Sequence, residues 1–393
     1  MTLSSSTTAD RLDIGVYGAR AIPSTYSGYE TFLTLLLPAL AERGHRVTMY
    51  CRTGELEDTG PYRGVDRVVL PAVPGKQFNT LSHGAVAGIV GRIRRHDVVL
   101  SVNVANALFC AFGRFTGQPT VLNTDGQEWL RGKWGRVGKS IFRGSAHLAK
   151  RTATGLVSDC QAMADIYAEE FDSSSTVIPY CFSSDAYPDD PEVLDELGVR
   201  ARNFLVVAGR HNPENNLDRI ASEFSATDID MPLLVLGTAN YESPVTERIE
   251  ELSRSDARIR AIGHVGSRSA FLTLLREAAV YIHGHSVGGI NPSLIEAMSS
   301  GADIVAFDTP FNREALSDTA TYFTLGDDRF AGVLTDRLTA DVATSKARRE
   351  ACVQRVDEVF DLDSVVSAYE DLLRVASTSG LRGGVSIHTR WAR

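Results

Sequence analysis

Residues 279–301 read AVYIHGHSVGGINPSLIEAMSSG. The run Ala279–His283 is apolar and gives way to a loop holding Gly284, Gly288 and Gly289. Asn291 and Pro292 then open a second apolar segment with helical spacing. A short run that is apolar on both faces, followed by a loop and an amphipathic helix, is the unit of a parallel sheet covered on both sides.

The unit recurs in both directions from here. In the second half the other runs are NFLVVAG, PLLVLG, RIRAIG and DIVAF. In the first half they are LDIGVYG, RVTMYC, DRVVL, DVVLSV, PTVLNT, TGLVS and TVIP. Two such series in succession predict an α/β protein with two doubly wound, Rossmann-like parallel-sheet domains. The acidic, proline-containing stretch YPDDPEVLDELGVRARN, near residues 186–203, separates them. The expected division is a disordered lead-in at 1–10, an N-terminal domain at 11–195 and a C-terminal domain at 196–355. Helices at 356–376 are placed to pack back on the first domain, and 377–393 reads as a mobile tail.

Composition narrows the function. The 393 residues are 43% hydrophobic and 23% charged, with a net charge of −9. That balance argues against general nucleic-acid binding, which calls for a basic face. The 5 cysteines are scattered with no CxxC pair, so neither a metal nor a disulfide framework is expected, and a cytoplasmic setting is. No run approaches the ~18 apolar residues of a membrane span.

Two facing α/β domains bind ligands in the cleft beyond the carboxyl ends of their strands, where loops and helix N-termini offer backbone N–H groups to anions. Several polar residues fall there. Ser27 and Gly28 precede a strong helix, so the backbone can approach a phosphate, although an ordinary strand–loop–helix connection fits equally. LNTDGQEW ends a strand with Asp125, Glu128 and Trp129; paired carboxylates beside an aromatic suit a hydroxyl acceptor, and Asp-Gly alone also makes a turn. Arg210 follows a strand directly, where a guanidinium grips a diphosphate with paired hydrogen bonds. Gly263 and His264 follow another strand and are candidates to read a base.

The segment 279–301 is the densest of these sites. His283, His285, Ser286, Gly288, Gly289, Asn291 and Ser293 form a polar loop suited to a sugar diphosphate at a helix N-terminus. Glu296, one turn into the helix, is placed to accept from two vicinal hydroxyls such as those of a ribose. The two histidines lack a third metal ligand at usable spacing.

Residues 129–151 form a basic patch: Arg131, Lys133, Arg136, Lys139, Arg143, Lys150 and Arg151, with no acid. Apolar residues interleave at helical spacing. The segment reads either as a helix lying on an anionic bilayer or attracting a lipid-diphosphate, or as a core helix with a solvated basic face.

With these motifs in order, IPSTYSGYE, NTDGQEW, GRHNPENN and HGHSVGGINPSLIEAM, the chain resembles retaining GT-B-fold glycosyltransferases of family 4 over roughly residues 11–375, and within them a rhamnosyltransferase-like subgroup. The resemblance implies that Gly28 lies near the donor diphosphate, Arg210 grips it, Glu296 holds the ribose and Asp125 stands beside the acceptor and the reacting carbon. It also implies front-face transfer, without cofactor or metal, of a hexosyl group to a saccharide or lipid-linked saccharide acceptor in cell-surface polysaccharide synthesis. For the subgroup the donor implied is dTDP-β-L-rhamnose.

Three positions depart from the family pattern. Gly288 replaces the first glutamate of the family's pair, so His283, His285 or Asn291 must take its place. Asn215 stands where a lysine is usual and counts as a donor-binding residue. Pro292 lacks an N–H that many members offer. Other readings are a UDP- or GDP-sugar donor, a nucleotide-sugar sensor, or an epimerase or dehydrogenase; the missing GxGxxG spacing and Tyr-x-x-x-Lys argue against the last two enzymes.

Overall fold

The computed structural model describes residues 11–23, 28–73, 78–132, 134–239, 242–327, 329–379 and 383–392. The lead-in 1–10 and Ser27 lie outside the described residues.

The chain divides into two compact units. One comprises Met1–Trp129, Arg136–Tyr180 and Leu362–Arg393; the other comprises Leu130–Gly135 and Cys181–Asp361. The first unit begins with β1 (Asp13–Tyr17), α1 (Gly28–Glu42), β2 (Arg46–Arg52), β3 (Val65–Leu70), α2 (Phe78–Arg94) and β4 (Val98–Val102). It continues with α3 (Ala107–Thr116), β5 (Thr120–Asn123), α4 (Arg136–Thr152), β6 (Gly155–Ser158), α5 (Gln161–Phe171) and β7 (Thr176–Val177). Its seven strands run in the order β3-β2-β1-β4-β5-β6-β7, all pairings parallel.

The second unit holds α6 (Glu192–Glu196), β8 (Leu205–Ala208), α7 (Leu217–Ser225), β9 (Leu233–Leu236), α8 (Pro244–Ser255) and β10 (Ile259–Gly263). Then come α9 (Arg268–Glu277), β11 (Val280–His283), α10 (Pro292–Ser299), β12 (Ile304–Phe307), α11 (Pro310–Leu316) and β13 (Thr321–Phe323). The helices α12 (Arg329–Leu338) and α13 (Val342–Val359) complete it. Its six parallel strands run β10-β9-β8-β11-β12-β13. These are two Rossmann-like parallel-sheet domains, the fold class that the runs of Val, Ile and Leu predict. Strand order reverses between β1 and β4 in one unit and between β8 and β11 in the other, which are the places where such sheets bind ligands.

The central strands are buried on both faces: β4 and β9 have no exposed residue. The second unit's core gathers Leu205, Val207, Ile220, Phe224, Val235 and Ile282 under α7 and α8.

The last helix, α14 (Leu362–Thr378), belongs to the first unit. It buries Val365, Val366, Tyr369, Leu372, Leu373 and Ala376, and the Tyr369 hydroxyl accepts from Asn123 Nδ2 at 2.8 Å. The final residues do not form the free tail that their Gly/Ser content suggests. Val385 N donates to the Thr154 carbonyl at 2.9 Å, Ile387 N to Thr176 Oγ1 at 3.2 Å, and Thr389 Oγ1 to the Val177 carbonyl at 2.7 Å. β7 is the edge of the sheet, and the tail meets main-chain groups that an edge leaves unpaired. No helix among the described residues is long and apolar enough to cross a membrane.

Candidate active site

In the second unit, β8 and β11 are neighbours, and the loops that follow them are joined side chain to side chain. Asn215 Nδ2 donates to the Arg210 carbonyl at 2.7 Å. Its Oδ1 therefore faces His285 Nδ1, 2.8 Å away. An amide oxygen only accepts, so the His285 proton sits on Nδ1. Ser286 donates through both N and Oγ to the Glu214 carbonyl, at 2.9 Å each. Asn216 Nδ2 donates to the Gly284 carbonyl at 2.8 Å. A Cβ on Gly284 would stand 2.3 Å from the Asn215 carbonyl, so only glycine lets the two loops meet.

Asn215 is thus engaged at both ends of its amide and ties the Arg210 main chain to His285. Arg210 itself is exposed. His285 is buried, and its pKa is pushed well down by burial first and then by Arg131, His283 and Arg210. Two guanidinium groups bearing on one neutral imidazole make this corner electropositive. Burial also drives His283 down to about 3, so it too is neutral. Its Nδ1 meets the Tyr281 hydroxyl at 3.1 Å, and its Nε2 is buried without a hydrogen-bond partner.

Beyond the loop, Gly288 and Gly289 both take left-handed backbone, with φ of 88° and 71°. Asn291 caps α10: its Oδ1 accepts from Ser293 N at 3.2 Å and from Ser293 Oγ at 3.0 Å. Pro292 sits at the first helical position, where its missing N–H is no loss. Asn291 and Ser293 therefore build the helix start. Glu296 is buried and ion-paired with Arg268. Burial raises its pKa while Arg268 opposes the shift. The guanidinium of Arg268 also lies over the rings of Phe182 and Phe271, at 5.4 and 5.5 Å. Gly263 ends β10 with φ of 82°, and His264 is exposed.

In the first unit, Asp125 follows β5 and Asn103 follows β4, the neighbouring strand. Both have positive φ, 52° and 71°, and Asn103 Nδ2 donates to Asp125 Oδ2 at 3.1 Å. Two non-glycine residues held this way at adjacent strand ends store strain that a packed loop would avoid. Gly28 is the first residue of α1, and Glu30 Oε1 accepts from Arg20 N at 2.9 Å. Trp129 is buried edge-on to Tyr167 and Phe171, with ring centroids 6.1 and 5.1 Å apart. Glu128 is buried in the same short 3₁₀ turn, Glu128–Leu130.

Sequence reasoning did not single out Asn103, Arg131, Glu214 or Arg268. Asn103 carried the one legible signal, a polar residue directly after a strand. Arg268 opens a helix behind the Ser267 cap, and its partner Glu296 is 28 residues away, so only the folded chain joins them. Glu214 is buried, and among the described residues neither carboxylate oxygen has a hydrogen-bond partner. Among the described residues no group of three or more His, Cys, Asp or Glu is arranged to hold a metal ion.

Two family models match the chain: a glycosyl transferase 4-like domain over residues 27–181 and glycosyl transferases group 1 over residues 192–339. Together they cover most of its length. The chain is a GT-B glycosyltransferase of the family 4 type. Solved structures agree on the fold of this glycosyltransferase. Sucrose-phosphate synthase from Thermosynechococcus elongatus has a TM-score of 0.77 at 16% identity, covering 93% of this chain and 98% of that one. HepE from Anabaena, in complex with UDP-glucose, has a TM-score of 0.73 at 15% identity, covering 93% and 99%. The α,α-trehalose-phosphate synthase (UDP-forming) from Burkholderia vietnamiensis has a TM-score of 0.71 at 13% identity, covering 94% and 98%. At such identities the likeness concerns the fold. A search of curated proteins finds no significant match.

Proposed function

We propose that this glycosyltransferase moves a hexosyl group from a nucleoside-diphosphate sugar to an acceptor hydroxyl, with retention of anomeric configuration and without a metal. The observation that carries this reading is the hydrogen-bonded joining of the loops after β8 and β11, which sets the Arg210 main chain and His285 on either side of the Asn215 amide. A guanidinium at that strand end suits a diphosphate. In the step, the bond from the anomeric carbon to the diphosphate oxygen breaks while the acceptor oxygen bonds to that carbon from the same face. The acceptor proton passes to the departing phosphate oxygen. Arg210 and the N–H groups of the 283–293 loop stabilise the charge that develops on the leaving group. Glu296 holds the ribose hydroxyls, Gly28 lets main chain approach the diphosphate, and Asp125 orients the acceptor.

The motif resemblance favours dTDP-β-L-rhamnose as donor and a saccharide or lipid-diphosphate-linked saccharide as acceptor, in cell-surface polysaccharide synthesis. It also favours contact of residues 129–151 with the inner face of the membrane. A second reading, a UDP-hexose donor, is favoured by the HepE structure bound to UDP-glucose. Nucleotide release from a panel of sugar nucleotides, with lipid-diphosphate saccharides as acceptors, decides between them. Rhamnose-dependent release of dTDP is expected; turnover with UDP-glucose alone supports the second reading, and no release from any donor rejects both. Arg210→Ala should lower kcat/KM at least tenfold, about 1.4 kcal/mol. An unchanged rate would remove Arg210 from the site.

A further inference from the structure

The crossovers β3 to β4, β4 to β5 and β5 to β6 all step the same way across the first sheet. Right-handed connections therefore place α2, α3 and α4 on one face, where α2 packs on α3 and α3 on α4. The outward surface of this layer is apolar where solvated helices are polar. α2 exposes Ile89 and Ile93, one turn apart; α3 exposes Leu108, Phe112 and Phe115 along one stripe; α4 exposes Val137 and Ile141. Phe115 is 89% exposed, Ile93 74% and Val137 72%. Scattered apolar side chains are ordinary, but these share three adjacent helices and form a patch. Arg92 NH1 donates to the Thr116 carbonyl at 3.1 Å, tying together the helix ends that carry Ile93 and Phe115.

Charge selects the occupant. None of the three helices contains an Asp or Glu, although the chain as a whole carries −9. Arg143 and Lys150 pair with Glu170 and Asp172 at the far end of α5. Arg94, Arg114, Arg136 and Arg151 form no ion pair among the described residues and, like the apolar stripe, are exposed. A second copy of this chain docked through the same face would set those cations against one another. An anionic bilayer satisfies both features: apolar side chains enter the boundary between headgroups and acyl chains while guanidinium groups meet lipid phosphates.

We propose that the α2–α3–α4 face docks on an anionic phospholipid bilayer. This deepens the membrane reading of residues 129–151 and rests on it, with one change. α4 alone is not the anchor, since Phe142, Ser145, Ala146 and Ala149 form its buried side. The apolar contact is centred on α3 and the end of α2.

The test is co-sedimentation of the full chain with vesicles of phosphatidylcholine alone or with added phosphatidylglycerol. Binding is expected only with the anionic vesicles and should weaken as salt shortens the screening length from about 10 Å at 0.1 M to about 3 Å at 1 M. Ile93→Asp with Phe115→Asp should lower binding at least tenfold, and Arg114→Glu with Arg136→Glu should do likewise. These side chains are exposed, so thermal unfolding should stay unchanged. Nucleotide release with a water-soluble acceptor should also be unchanged, which separates docking from chemistry. Equal binding to neutral and anionic vesicles, no binding to either, or variants that bind like the parent would overturn the proposal. Vesicle binding by a chain that transfers no sugar would leave docking standing and reject the glycosyl-transfer reading.

Discussion

A buried carboxylate without a donor destabilises the ligand-free protein, and among the described residues Glu214 has none. Its oxygen Oε2 stands 3.7 Å from where a Cβ on Gly132 would lie, so the 130–135 segment roofs it. Glu214→Gln removes the charge and keeps the shape. If the carboxylate serves a donor hydroxyl, the variant should raise the unfolding free energy by about 1 kcal/mol while raising KM for the sugar nucleotide severalfold. Higher stability with unchanged kinetics would make Glu214 a purely structural residue. At this scale the sequence disclosed position better than role. Arg210, His285 and Glu296 are legible because they directly follow strands or open a helix. The roles of Asn215 and Asn291 were not, because a hydrogen bond to a loop or cap engages the same amide that a phosphate would need. Arg131 looked like one more cation in a basic run until folding set it beside His285.

At the scale of elements, twelve apolar runs in the sequence correspond to twelve of the thirteen strands. They are legible because strands buried on both faces are apolar throughout. β13, Thr321–Phe323, escaped notice: it is three residues long, half-buried and at the sheet edge. The C-terminal tail is illegible for a related reason, since its anchoring is a main-chain bridge to β6 and hydroxyl hydrogen bonds at β7, which composition does not record. α14 carries a different consequence. It packs on β4 and β5 and has seven buried residues, the larger side chains contributing about 1.5–3 kcal/mol each. A chain ending at Asp361 should lose the first unit as a folded body while Cys181–Asp361 remains protease-resistant. Limited proteolysis with mass spectrometry reads this directly; a protected first unit in the truncated chain would refute it.

The whole molecule responds to acid through its buried histidines. Burial lowers the pKa of His83 to about 4 and of His283 to about 3, and His285 and His211 are shifted the same way. The unfolded chain binds these protons near pH 6.5 while the native state refuses them, so stability present above that pH is lost as pH falls. Each such histidine should cost about 1.4 kcal/mol per pH unit between about 6.5 and its native value. The thermal midpoint should therefore drop from pH 7 to pH 5, and His283→Gln should flatten that dependence. A midpoint independent of pH over this interval would contradict the assignment.

Because α14 closes over the first unit's sheet, the order of synthesis and the order of folding diverge. Strands β1 to β7 leave the ribosome early, yet the hydrophobic floor that Val365, Tyr369 and Leu372 cover stays open until Leu362–Thr378 has been translated. The second unit, Leu130–Gly135 with Cys181–Asp361, has all its residues in hand before α14 is made. The later-made body is thus the first able to finish folding, while the sheet of the first unit waits with its α14 face uncovered.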